Sequence, residues 1–131
     1  MMTPEDAVAL VHRYAEAGSR RDIGALDGIF TEDFVNHHPA GPARGIQELK
    51  RFVEGVLDAW PELTVSVETA FANVSFEDGP RVGALVTLHG RNPERGRTLE
   101  VRELWIFRVS EGKLAERWYV VDQEGARVER I

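Results

Sequence analysis

The chain has 131 residues, 43% of them hydrophobic, with a formal net charge of −6 and no cysteine, so one compact domain over residues 1–131 is expected and disulfide or thiolate chemistry is excluded. The basic residues are scattered among acidic ones, which argues against nucleic acid as a partner, and the longest apolar run is too short to cross a bilayer. The acidic start MMTPEDAVAL lacks the positive and then apolar pattern of an export signal, so the cytoplasm is the expected location.

Thr3, Pro4, Glu5 and Asp6 open the first helix, as a cap, a proline at the first helical position and acids at its positive end. Ala7, Leu10, Val11, Tyr14 and Ala15 then form one apolar stripe, while His12 sits beside Arg13 toward solvent. Asp22 caps a second, shorter helix carrying Ile23, Leu26, Ile29 and Phe30. The segment FTEDFVNHHPAGPARG (30–45) follows, with His37 and His38 beside Pro39. A third helix, GIQELKRFVEGVLDAWP, puts Ile46, Leu49, Phe52, Val53, Val56, Leu57 and Trp60 on one side and stops at Pro61. Three helices are thus expected in the first half.

From Leu63 the period falls to two, as LTVSVETAF alternates apolar and polar residues. Turn signals at EDGP (77–80), NPERG (92–96) and SEGK (110–113) separate RVGALVTLHG, RTLEVRELWIFRV and LAERWYVV. These read as hairpin-joined antiparallel strands, and ARVERI (126–131) as a solvated tail. Helices followed by strands point to an α+β fold, with the helices gathered on one face of the sheet.

Such a sheet leaves a pocket beneath its helices. Alternation groups Glu103, Trp105 and Phe107 on one strand, and Glu116, Trp118, Val120 and Asp122 against Arg117, Tyr119 and Val121 on the next; Thr87 and His89 fall together on RVGALVTLHG. A carboxylate among aromatic rings loses hydration and has its pKa raised, which suits acid/base work; equally, Glu103 and Glu116 could pair with Arg102, Arg108 or Arg117. Asp122 could stand at the pocket mouth or start a turn with Gln123, Glu124 and Gly125. No spacing of His, Asp and Glu completes a metal site, and neither a nucleophile elbow nor a phosphate-binding glycine loop is present.

FTEDFVNHHPAGPARG, the helix ending AWPEL, TLHG and EGKLAERWYVVDQEG, in that order over about residues 5–125, resemble the SnoaL-like polyketide cyclase family of the nuclear transport factor 2-like superfamily. The resemblance implies a cystatin-like, cone-shaped barrel of N-terminal helices packed on a curved antiparallel sheet. It also implies an intramolecular aldol closure needing neither metal nor organic cofactor. Asp122 matches the family's general acid/base; His38 and His89 match frequent pocket histidines and would stabilise the enolate. Arg117 stands where family members often carry His. The cavity would be shaped by Tyr14, Phe34, Trp105 and Trp118, with Glu103 at its wall. One of His37 and His38 would face it while the other holds the loop. The ligand would be a small hydrophobic carbonyl compound, and the outer sheet face, expected to carry Leu104, Ile106, Tyr119 and Val121, would form a homodimer. Two other readings accompany the cyclase: an epoxide hydrolase-like enzyme, which wants an Asp-Arg-Asp cluster, and a noncatalytic binding or dimerisation module.

Overall fold

The computed structural model describes residues 2–38 and 40–131, so Pro39 and its part in the turn lie outside the described residues. Helix α1 is Pro4–Ser19, and its start is the expected capping box: Asp6 N–H donates to the Thr3 hydroxyl at 3.1 Å and Thr3 N–H to the Asp6 carboxylate at 3.0 Å. Helix α2 is Ile46–Ala59, ended by Trp60 and Pro61. The second expected helix is a single 3-10 segment, Ile23–Gly28, capped by Asp22 through the Ala25 N–H at 3.2 Å. Gly24 and Gly28, each costly in a helix, keep it short.

Among the described residues the sheet has seven strands: β1 Phe30–His38, β2 Gly41–Arg44, β3 Glu62–Asn73, β4 Arg81–Asn92, β5 Arg97–Ser110, β6 Lys113–Val121 and β7 Arg127–Arg130. They run in the order β2-β1-β6-β5-β4-β3, with β7 pairing β5. The sheet is curved and unclosed, a cone of strands with helices on its concave side. Two expectations change. FTEDFVNHH is a strand rather than a link between helices, and its pairing with β6 is parallel in an otherwise antiparallel sheet. The segment 127–130, read as a tail, pairs with Arg97–Glu100 of β5.

Register decides what faces inward. Ala84, Val86 and Val82 of β4 lie opposite Trp105, Glu103 and Phe107 of β5, which lie opposite Tyr119, Val121 and Arg117 of β6. Asn36 of β1 sits beside Arg117. Helix α1 covers β3 and β4, and α2 covers β1, β2 and the 3-10 segment. Between them lies a core of aromatic rings: Tyr14 meets Phe30 edge-on at 4.9 Å, Phe30 meets Phe34 at 4.7 Å, and Phe107 and Trp105 complete the cluster.

Candidate functional site

A cavity of about 70 Å³ lies where the two helices part over the sheet. Tyr14, Ala15 and Gly18 of α1 line it, with Phe52, Val53, Val56 and Leu57 of α2, Leu63 and Val65 of β3, and Leu88 of β4. Its charged groups are Glu103 of β5 and Arg117 of β6.

Arg117 is 2% exposed, although a guanidinium keeps its charge under all ordinary conditions. Five rings surround it, at 4.6 Å (Tyr119), 5.5 Å (Trp105), 5.8 Å (Tyr14 and Phe107) and 5.9 Å (Phe52) from its central carbon to the ring centroids. These distances are within cation–π range. Its Nε–H donates to the Asn36 side-chain oxygen at 3.0 Å, and Asn36 is itself 2% exposed. Glu103 is half-buried and held by Trp105, whose indole N–H donates to its carboxylate at 2.9 Å. Among the described residues, no carboxylate comes within 4.0 Å of the Arg117 guanidinium. The cavity therefore holds a cation and an anion that are not paired with each other. Burial also pushes the Tyr119 hydroxyl above its ordinary pKa, so beside Arg117 it stays protonated.

The expected site residues divide. Tyr14, Trp105 and Glu103 line the cavity. His38 is one ring removed: it packs edge-on against Phe52 and Tyr119, both at 5.9 Å, while its Nδ1 accepts the Ala40 N–H at 3.1 Å. It thus both faces inward and holds the loop. Phe34 is core packing against Phe30.

The remaining four lie elsewhere. His37 points to the outer face, stacked on Trp118 at 5.1 Å with its Nε2 2.6 Å from Glu116. Trp118 is on that outer face too, because Arg117 and Tyr119 take the inward positions of β6. Burial alone would raise the Glu116 carboxyl, but the hydrogen bonds with His37 and Arg108 outweigh it and hold the carboxyl below its usual range. His89 projects from the outer face of β4, 3.6 Å from Glu100. Asp122 is exposed and closes the turn after β6, accepting the Gly125 N–H at 2.9 Å.

Sequence reasoning did not single out Asn36, and it weighed Arg117 as the residue standing where the family often carries His and as the arginine of the epoxide hydrolase-like reading. A buried asparagine opposite a buried arginine is a pairing across 81 positions, and only the β1–β6 register brings it together.

The comparisons agree with this architecture. The sequence model of the SnoaL-like domain matches residues 11–117. A search of curated proteins by sequence returned no match. Among solved structures, TsrD from Streptomyces laurentii superposes with a TM-score of 0.78 at 21% identity, covering 95% of this chain and 94% of that one. RV0760c from Mycobacterium tuberculosis gives 0.78 at 19%, covering 98% and 100%. A Jannaschia sp. CCS1 protein assigned as a SnoaL-like polyketide cyclase gives 0.76 at 21%, covering 91% and 87%. Identities this low speak for the fold and leave the chemistry to the residues. The matched span takes in α1 from Val11, the 3-10 segment, α2 and the strands through Arg117, and on that match the chain belongs to the SnoaL-like domain family.

Proposed function

We propose that the protein is a cofactor-independent acid/base enzyme acting on a small carbonyl compound held between Glu103 and Arg117. The observation that carries this is the pair itself, a carboxylate and a guanidinium lining one largely apolar cavity without neutralising each other. Removing a proton alpha to a carbonyl needs a base, and the enolate that forms needs a positive or donor group already in place. Glu103, oriented by the Trp105 indole, serves as the base. Arg117, oriented by Asn36, faces the developing oxyanion. Aldol closure of the polyketide cyclase type is the best-defined version of this chemistry. A cavity of about 70 Å³ is small beside the 300–1,000 Å³ usual for drug-sized ligands. An aromatic polyketide would require Phe52 and α2 to move outward, whereas a compound of a few heavy atoms would not.

The test is exchange of alpha protons with solvent deuterium, followed by NMR on small oxo compounds such as 2-oxobutanoate and butan-2-one. Wild-type protein is expected to accelerate exchange, and Glu103→Gln to slow it by about 10²-fold or more, the usual contribution of a positioned base. Asp122→Asn, on the exposed turn, should leave the rate unchanged. Exchange no faster than in buffer, or a Glu103→Gln variant as fast as wild type, would sink the enzymatic reading.

A homodimer belongs to the same proposal. Phe71, Leu104, Ile106 and Val120 are 68%, 43%, 41% and 66% exposed. Leu104 lies between Leu85 and Val120 in register, and Ile106 between Gly83 and Trp118, so the residues form one apolar band across the outer face. Tyr119 and Val121, expected on this face, lie on the other. A second copy would cover the band. Val120→Asp is expected to convert dimer to monomer in analytical ultracentrifugation with an unchanged circular dichroism spectrum; a wild-type protein that sediments as a monomer at micromolar concentration would refute it.

A further inference from the structure

We infer that the ligand of the cavity is already an anion before any reaction: a small carboxylate, taken up in the grip of Arg117. The oxo group of an oxo acid rests on the reading proposed above, but the carboxylate rests on the surroundings of Arg117 alone.

A guanidinium has five N–H donors and no acceptor. In Arg117, Nε–H is used by Asn36, and the described hydrogen bonds leave the four Nη hydrogens without an acceptor. The rings around it offer π faces, which attract the charge but accept no in-plane hydrogen bond of ordinary strength. Removing a charge from water is unfavourable when it is not repaid by a paired and hydrogen-bonded partner. Arg117 has such a partner only at Nε; its Nη atoms are not among the fully buried unpaired polar atoms and stay accessible, and the residue lines the cavity. A carboxylate there would take two Nη hydrogens in the bidentate geometry that suits a guanidinium.

The rest of the cavity fixes which way round the ligand lies. Glu103 repels an anion, and one of its oxygens already accepts the Trp105 N–H, so the carboxylate belongs at the Arg117 end. Val53, Leu57, Leu63, Val65 and Leu88 then receive the carbon chain. In a 2-oxo acid, this arrangement directs C3, the proton-bearing carbon next to the oxo group, toward Glu103. Asn36 is a positioning residue: it fixes the plane of the guanidinium without touching the ligand.

The experiment is an NMR titration of the full chain, following Trp105 Nε1–H and Arg117 Nε–H. Butyrate and 2-oxobutanoate are compared with their uncharged counterparts butyramide and butan-2-one at neutral pH. Both carboxylates are expected to bind tenfold or more tighter than their counterparts. Arg117→Met should lose that preference, and Arg117→Lys, which keeps the charge but cannot form the fork, should retain only part of it. If the methionine variant fails to fold, the lysine variant alone decides, through a reduced preference. Equal affinity of charged and uncharged probes, no binding of either carboxylate at tens of millimolar, or a preference that persists undiminished in a folded Arg117 variant would overturn the inference. The two readings fail separately. Carboxylate binding that depends on Arg117, without Glu103-dependent deuterium exchange, ends the enzymatic reading and leaves this one standing. Glu103-dependent exchange with equal binding of 2-oxobutanoate and butan-2-one does the reverse.

Discussion

Gly79→Ala is expected to destabilise the fold by roughly 3 kcal/mol or more, lowering the thermal midpoint by about 10 °C. Two independent constraints meet at this residue. Its φ is +110°, a backbone region that side chains with a β-carbon rarely adopt. A β-carbon there would also land on the backbone carbonyl oxygen of Val109. That oxygen cannot step aside cheaply, since Val109 is 1% exposed and its N–H donates to the Pro80 carbonyl at 2.9 Å. Relieving the clash would break that bond and leave a buried donor unpaired. Gly55 is the internal control: it lies within α2, a β-carbon added there would meet nothing within 4 Å, and conversion to alanine should gain about 0.5–1 kcal/mol. Thermal denaturation by circular dichroism checks both. A Gly79→Ala midpoint within a degree or two of wild type would show that the β3–β4 turn yields more readily than its packing implies.

Phe107→Ala should cost about 3–5 kcal/mol, the usual loss when a buried aromatic ring is removed from a core that cannot collapse around the gap. Phe107 is fully buried on the inner face of β5, edge-on to Tyr14 at 6.2 Å and to Trp105 at 6.0 Å. Tyr14 is held against Phe30 of β1 and Trp105 against Tyr14 of α1, so little can move in to fill the space. The same ring stands 5.8 Å from the Arg117 guanidinium. The variant therefore also admits water to that group, and Arg117 should lose its selectivity for carboxylates along with the protein's stability. Phe107→Leu, which fills most of the volume, should cost far less. Urea unfolding measures both, and a loss below 1 kcal/mol for the alanine variant would mean that the aromatic cluster repacks.

The elements whose stabilising contacts are local were legible in the sequence. The cap at Thr3, the stripes of α1 and α2, and the three turns of the strand-rich half all announce themselves within a few residues. Alternation also grouped Glu103 with Trp105 and Phe107, and Arg117 with Tyr119. What alternation does not say is which group faces inward. On β6 both faces are partly apolar and both carry a charge, Glu116 with Trp118 and Val120 and Arg117 with Tyr119 and Val121, so the strand alone does not say which face turns inward. The inward side is decided by β1, whose role as a strand was hidden because Asn36 and His38, at inward positions, interrupt its apolar pattern. Asp122 carried two local meanings, and the backbone geometry of 122–125 is that of a turn.

The parallel pairing of β1 with β6 has a consequence for how the molecule comes into being. Arg117, the cavity's cation, and Asn36, which orients it, are separated by 81 positions. The α1 helix and the β3–β4 and β4–β5 hairpins can form from neighbouring sequence alone, but the β1–β6 seam must first close a long loop, an entropic cost that slows folding. In refolding, the protection of hairpin amides should precede that of β1, with the charged cavity among the last features to assemble. A chain caught between those stages would hold most of its strands and still present Arg117 to water, unable to recognise anything.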